Sequence, residues 1–127
     1  MNIAVIGTGY VGLVSGACFA ELGHRVVCVD KVESKIRMLL DGEVPIYEPG
    51  LKELLAGNRE AGRIGFTTDL AGPVRDADIV IIAVGTPQAP SGEANLAYVE
   101  QAAKEIGEAL NGYKIIMTKS TVPVGTN

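Results

Sequence analysis

Gly7-Thr8-Gly9-Tyr10-Val11-Gly12 stands between an apolar run, Asn2-Ile3-Ala4-Val5-Ile6, and a stretch rich in small residues, Leu13 to Leu22. No other segment constrains the fold as tightly. The apolar run reads as a buried strand and the stretch beyond the glycines as a helix. A second apolar run, Val26-Val27-Cys28-Val29, ends on Asp30, eighteen positions after Gly12. Strand, Gly-x-Gly-x-x-Gly, helix, strand and acid form the arrangement that binds a dinucleotide. Gly7 lets the chain turn sharply off the strand, and Gly9, with no Cβ, lets the backbone approach a pyrophosphate. Gly12 lets the helix pack close to the strand, and the helix's free N–H groups face the phosphates. The carboxylate of Asp30 can accept hydrogen bonds from the adenosine ribose. It would repel a 2′-phosphate, so NAD is expected over NADP.

The rest of the chain fits that beginning. Apolar runs alternate with amphipathic helices, which calls for an α/β fold, a doubly wound parallel sheet covered on both faces. The second helix spans about Val32 to Leu40, with Val32, Ile36, Leu39 and Leu40 on one stripe, and Asp41-Gly42 stops it. A turn-rich segment, Glu43 to Gly50, leads to a short helix carrying Leu51, Leu54 and Leu55, with Pro49 in its first turn. Arg63 to Thr67 is the expected third strand and Ala77 to Val84 the fourth. Leu96 to Leu110 is a long helix with Val99, Ala102, Ala103, Ile106 and Leu110 toward the sheet and Asn95 as its N-cap. Tyr113 to Thr118 is the fifth strand. Residues 1–127 thus read as one dinucleotide-binding domain of the Rossmann type. A doubly wound domain normally goes on to a sixth strand, so the chain is expected to be a fragment of a longer protein, truncated before its last strand.

Composition narrows the function classes. A net charge of −4 over 127 residues provides no basic stripe for nucleic acid. The longest apolar run, Ile79 to Val84, is far too short to span a membrane, and no basic leader precedes the first strand. A cytoplasmic location is expected. Cys18 and Cys28 are expected to be small core residues in a reducing compartment. His24 stands alone, with no cluster at ligand spacing, so no metal site is expected.

In the expected strand order, 3-2-1-4-5, ligands lie outside the carboxyl ends of the strands where the order reverses. The loops after strands 4 and 5 then fall at the nicotinamide end. They read Gly85-Thr86-Pro87 and Lys119-Ser120-Thr121-Val122-Pro123. Small and hydroxylated residues suit backbone approach and hydrogen bonding to a ribose or carboxamide, although generic turn chemistry places the same residues there. Lys35 is either within reach of the adenosine ribose or an ordinary solvated lysine. Tyr10 either covers the pyrophosphate or packs locally.

Four segments carry a more specific likeness: Gly7-Thr8-Gly9-Tyr10-Val11-Gly12-Leu13, Pro45-Ile46-Tyr47-Glu48-Pro49-Gly50-Leu51, Val84-Gly85-Thr86-Pro87 and Lys119-Ser120-Thr121-Val122-Pro123-Val124-Gly125-Thr126. With them the whole chain resembles the NAD-binding domain of the UDP-glucose 6-dehydrogenase family, among the nucleotide-sugar dehydrogenases. The resemblance implies an NAD-dependent, four-electron oxidation of the sugar C6 alcohol to a carboxylate, giving UDP-glucuronate through a thiohemiacetal and a thioester on a cysteine. It implies Val11, Asp30, Lys35, Thr86 and Thr121 as NAD contacts, and Thr121 as the one catalytic residue, orienting water or a substrate oxygen. The flanking loop residues Gly7, Thr8, Gly9, Tyr10, Gly12, Gly85, Pro87 and Ser120 complete the expected cofactor site. The family's nucleophilic cysteine, its catalytic lysine and aspartate and most contacts to the nucleotide sugar have no counterpart here. The parent is expected to be a homo-oligomer and the fragment alone to be inactive. GDP-mannose and UDP-N-acetylmannosamine dehydrogenases share much of the pattern. A non-catalytic NAD-sensing domain is the reading from a different class, but it would not be expected to carry the second and fourth segments.

Overall fold

The computed structural model describes residues 1–127. Five parallel strands form one sheet: β1 (Asn2–Ile6), β2 (Arg25–Val29), β3 (Ile64–Thr67), β4 (Ile79–Ile82) and β5 (Ile115–Thr118), in the order β3-β2-β1-β4-β5. That is the expected doubly wound arrangement. The register is continuous across the middle of the sheet, with Val5 beside both Cys28 and Ile81. Alternate residues of each strand feed two separate cores because successive side chains leave opposite faces. Ile3, Val5, Val26, Cys28 and Ile81 pack under α1 (Tyr10–Glu21), α2 (Glu33–Leu40) and α3 (Leu51–Glu60). Ala4, Ile6, Val29, Val80 and Ile82 pack under α4 (Ala71–Asp76) and α5 (Ala97–Ala109). Each fully buried aliphatic side chain contributes about 1.5–3 kcal/mol.

Several expected elements need correction. α4 is absent from the sequence reading. Its segment, Ala71-Gly72-Pro73-Val74, is assigned no element there, yet Pro73 lies in the first turn of the helix, where no N–H is needed, and Val74 is wholly buried. Pro49 lies outside α3, because Gly50, at φ +83°, is the residue from which that helix starts. Asn95 sits one residue before the α5 cap position, Leu96, and its Oδ1 accepts the Ala97 N–H at 3.0 Å. On α5, Ala109 is buried in place of Ala103, and Leu110 remains exposed.

Cys18 was expected in the core and is exposed. The face of α1 against the sheet is set by Leu13, Gly16, Ala17 and Ala20, and a residue 100° further round the helix from Ala17 points outward. β5 is present as expected but starts at Ile115, two residues after the expected Tyr113. Ile115, Ile116 and Met117 are exposed by 41–47%, and β5 is an edge strand of the sheet. No helix is long and apolar enough to cross a membrane.

Candidate functional site

The strand order reverses between β1 and β4, whose chains leave the sheet toward helices on opposite faces. A cleft of about 1070 Å³ opens there, at the upper end of the range for small-molecule sites. Gly7, Thr8, Gly9, Asp30, Lys35 and Gly85 line it. Topology brings these residues together from three loops and one helix.

The glycines divide by task. Gly7 has φ +113°, and a Cβ on it would lie 2.4 Å from the Ala83 carbonyl oxygen. A Cβ on Gly12 would lie 2.0 Å from the Gly7 carbonyl oxygen, so α1 is seated directly on the loop that precedes it. Gly9 differs from both. Its backbone is extended, at φ −78° and ψ −166°, and a Cβ there would meet nothing within 4 Å. The fold does not require glycine at position 9; the open space beside it faces the cleft and the first turn of α1. Gly16, which the fingerprint does not include, is also forced, since its Cβ would lie 2.9 Å from Cys28 Sγ.

Asp30 joins two of the loops. Its Oδ2 accepts from the Thr8 N–H at 3.0 Å and the Thr8 hydroxyl at 2.7 Å, and its Oδ1 accepts from the Val32 N–H at 2.9 Å. Burial alone would raise the carboxyl pKa. The hydrogen bonds from Val32 and Thr8, with the charge of Lys35, outweigh burial and hold it below the ordinary aspartate value. A carboxylate has about four acceptor positions, so room remains for a ribose hydroxyl. Thr8 itself is buried, and its side chain belongs to this bond.

The loops after β4 and β5 are tied together. The Lys119 N–H donates to the Ile82 carbonyl at 2.7 Å, and the Ser120 hydroxyl donates to the Val84 carbonyl at 2.8 Å. Ser120 therefore uses its hydroxyl within the protein. Thr86 is partly buried, Pro87 and Thr121 are exposed, and all three lie beyond the lining of the main cleft. Tyr10 and Val11 are exposed in the first turn of α1. The Glu48 carboxylate near the Tyr10 hydroxyl raises the phenol above its ordinary value. Neither cysteine lines the cleft. Cys28 is sealed in the core, and burial pushes its thiol up to about 12.

Sequence reasoning missed the far wall of the cleft. Leu70 and Ala71 at the start of α4, and Gln101, Ala102 and Glu105 on α5, face the β2 loop across it. Ala102 had been assigned to the core and the other four to no role. The only signal was topological: whatever covers the β4 side must meet the crevice.

These features fit a dinucleotide. The space beside Gly9 can take phosphate, the first turn of α1 presents free N–H groups to it, and an ionised carboxylate waits at the end of β2. The comparisons with known proteins agree. Residues 1–127 match the NAD binding domain of the UDP-glucose/GDP-mannose dehydrogenase family. The UDP-glucose 6-dehydrogenase TuaD of Bacillus subtilis is 63% identical over 125 residues, covering 98% of this chain and 27% of that protein. The UDP-glucose 6-dehydrogenase of Rhizobium meliloti is 57% identical, over 99% of this chain and 29% of that protein. Among solved structures, a ternary complex of GDP-mannose dehydrogenase from Pseudomonas aeruginosa superposes with a TM-score of 0.95 at 40% identity, over 99% of this chain and 30% of that one. A UDP-glucose dehydrogenase from Pyrobaculum islandicum gives 0.93 at 45% identity, over 98% and 29%. The chain thus spans less than a third of the length of these relatives. A match that runs along the whole chain shows that it belongs to the UDP-glucose/GDP-mannose dehydrogenase family, as an NAD-binding domain of that family.

Proposed function

We propose that this chain is the NAD-holding part of an enzyme that oxidises UDP-glucose to UDP-glucuronate. The observation that carries this reading is the 63% identity to a UDP-glucose 6-dehydrogenase across 98% of the chain, against 40% to the GDP-mannose enzyme of nearly identical fold. NAD would supply the hydride acceptor. The chain's own residues would hold it. The backbone of Gly9 to Val11 would bind the pyrophosphate at the start of α1, and Asp30, with Lys35 beside it, would accept the adenosine ribose hydroxyls. Gly85, Thr86 and Pro87 would bound the nicotinamide end. Ser120 would hold the two loops in register, and Thr121 would orient an oxygen near the reacting carbon.

Replacing Asp30 by alanine is expected to weaken NAD binding about fivefold to a hundredfold, the range for unpairing a buried hydrogen-bonding group. It also removes the acceptor for Thr8 and Val32, so stability falls as well. Titration with NADH and NADPH separates the two effects. Lost stability weakens both cofactors alike, whereas the ribose role predicts that the preference for NADH shrinks. The same carboxyl predicts an acid limb. Its folded pKa lies below that of an unfolded aspartate, about 3.9, so its contribution to stability is present above that value and is lost as pH falls through the folded one. Thermal melts of the parent and of Asp30→Ala should converge in that acid window and diverge above it.

The purified chain is expected to bind NAD without turning over UDP-glucose. Thr121 is a neutral hydroxyl and supplies neither base nor nucleophile. Cys28 is protonated and sealed, and Cys18 lies on the outer face of α1, away from the cleft. NADH absorbance after mixing the chain with NAD and UDP-glucose is the measurement. Turnover that disappears with Cys18→Ala would overturn the reading. A longer form of the protein that oxidises GDP-mannose in preference to UDP-glucose would overturn the choice of sugar.

A further inference from the structure

Across the mouth of the cleft, Lys31 Nζ lies 3.0 Å from Glu105 Oε1. The same oxygen accepts the Gln101 side-chain amide at 3.0 Å. Lys31 leaves the β2 loop directly after Asp30, while Gln101 and Glu105 stand on α5, on the opposite wall. An acid at the end of β2 selects NAD, and a nearby cation accommodates the 2′-phosphate of NADP. This chain carries both residues side by side in sequence, yet directs them apart. Asp30 is bound by Thr8 and Val32, and Lys31 is drawn to α5.

From this arrangement we infer that Glu105 is a positioning residue for cofactor choice: it holds Lys31 away from the ribose 2′ position, so that Asp30 is the charge an incoming ribose meets. The inference rests on the dinucleotide reading of the cleft. Glu105 touches no ribose in this scheme and acts through the lysine. Its side chain is 28% exposed, against 64% for Lys31, so the α5 carboxylate is the better-anchored partner. The Gln101 amide fixes its rotamer. The charge of Lys35, not that of Lys31, acts on the Asp30 carboxyl, as expected if the Lys31 ammonium is turned away. In Glu105→Gln the carboxylate is gone and Lys31 is free to swing back beside Asp30. There it would partly neutralise the acid and attract a 2′-phosphate.

Fluorescence titration with NADH and NADPH of the parent, Glu105→Gln, Lys31→Ala and the double variant, at low ionic strength, tests this. The ratio of NADPH to NADH dissociation constants is expected to fall about fivefold in Glu105→Gln, the upper range for a partly exposed ion pair. It should return to the parental value in Lys31→Ala/Glu105→Gln, and the shift should fade in high salt. Local damage to the cleft would weaken both cofactors together and would not be reversed by removing Lys31. An unchanged ratio in Glu105→Gln, or a changed ratio that persists without Lys31, overturns the inference while leaving the NAD site intact. Failure of the parent to bind NADH would instead overturn the reading of the cleft.

Discussion

Gly9→Val will abolish NAD binding while the chain stays folded. The valine side chain would project into the space beside the glycine loop, where the pyrophosphate must approach the first turn of α1. Nothing in the protein lies within 4 Å of the position its Cβ would take, and the extended backbone there suits a β-branched residue. The cost to folding is confined to a poor residue at the helix N-cap, about 1 kcal/mol, or a few degrees of melting temperature in a domain of this size. Circular dichroism should therefore give a near-parental melt while NADH titration shows no saturation at millimolar cofactor. Retained affinity would mean that the loop does not cradle phosphate.

Gly12→Ala, three residues away, should do the reverse damage. One methyl group there would lie 2.0 Å from the Gly7 carbonyl oxygen, and the obstacle is backbone that cannot rotate aside. Either α1 lifts from the sheet or the loop shifts, which exposes part of the core around Leu13 and Ala17. Overpacking of a well-packed core costs about 1–3 kcal/mol, and a backbone clash of this depth belongs at or above the top of that range. A fall in melting temperature of roughly 10 °C or more is expected, with binding lost as a consequence. A parental melt for Gly12→Ala would show that the helix is not seated on the loop. Together the two variants separate the glycine kept for the ligand from the glycine kept for the fold.

The central part of the molecule was legible in the chain because local and global signals agree there. β1, the glycine turn, β2 and Asp30 each have one physical solution, and the alternation of apolar runs with helices admits little besides a parallel sheet. The errors lie where a short segment is decided by its neighbours. Ala71-Gly72-Pro73 has every mark of a turn, and it becomes the start of α4 because Val74 completes the core beneath it. Cys18 was misplaced because α1 is apolar nearly all round, so its sequence does not say which side meets the sheet. Lys31 and Glu105 lie far apart in sequence on two ordinary solvated faces, and only the reversal of strand order sets them opposite one another. The likeness carried by the Pro45–Leu51 and Lys119–Thr126 segments reached the family without the fold, because it rests on the order of residues in loops and needs no knowledge of how Ile46 and Leu51 meet the core.

The bonds from Thr8 and Val32 to Asp30 have a thermodynamic consequence for the ligand. Those from Thr8 span the two loops that would receive the pyrophosphate and the adenosine, that from Val32 closes the second loop on itself, and all are made between the protein's own groups. An arriving dinucleotide meets loops whose conformational freedom was already given up when the sheet closed. Little ordering entropy is left to be lost on association, so more of the contact enthalpy survives as affinity. Folding carries the cost of the rigid site once, and each binding event is spared it.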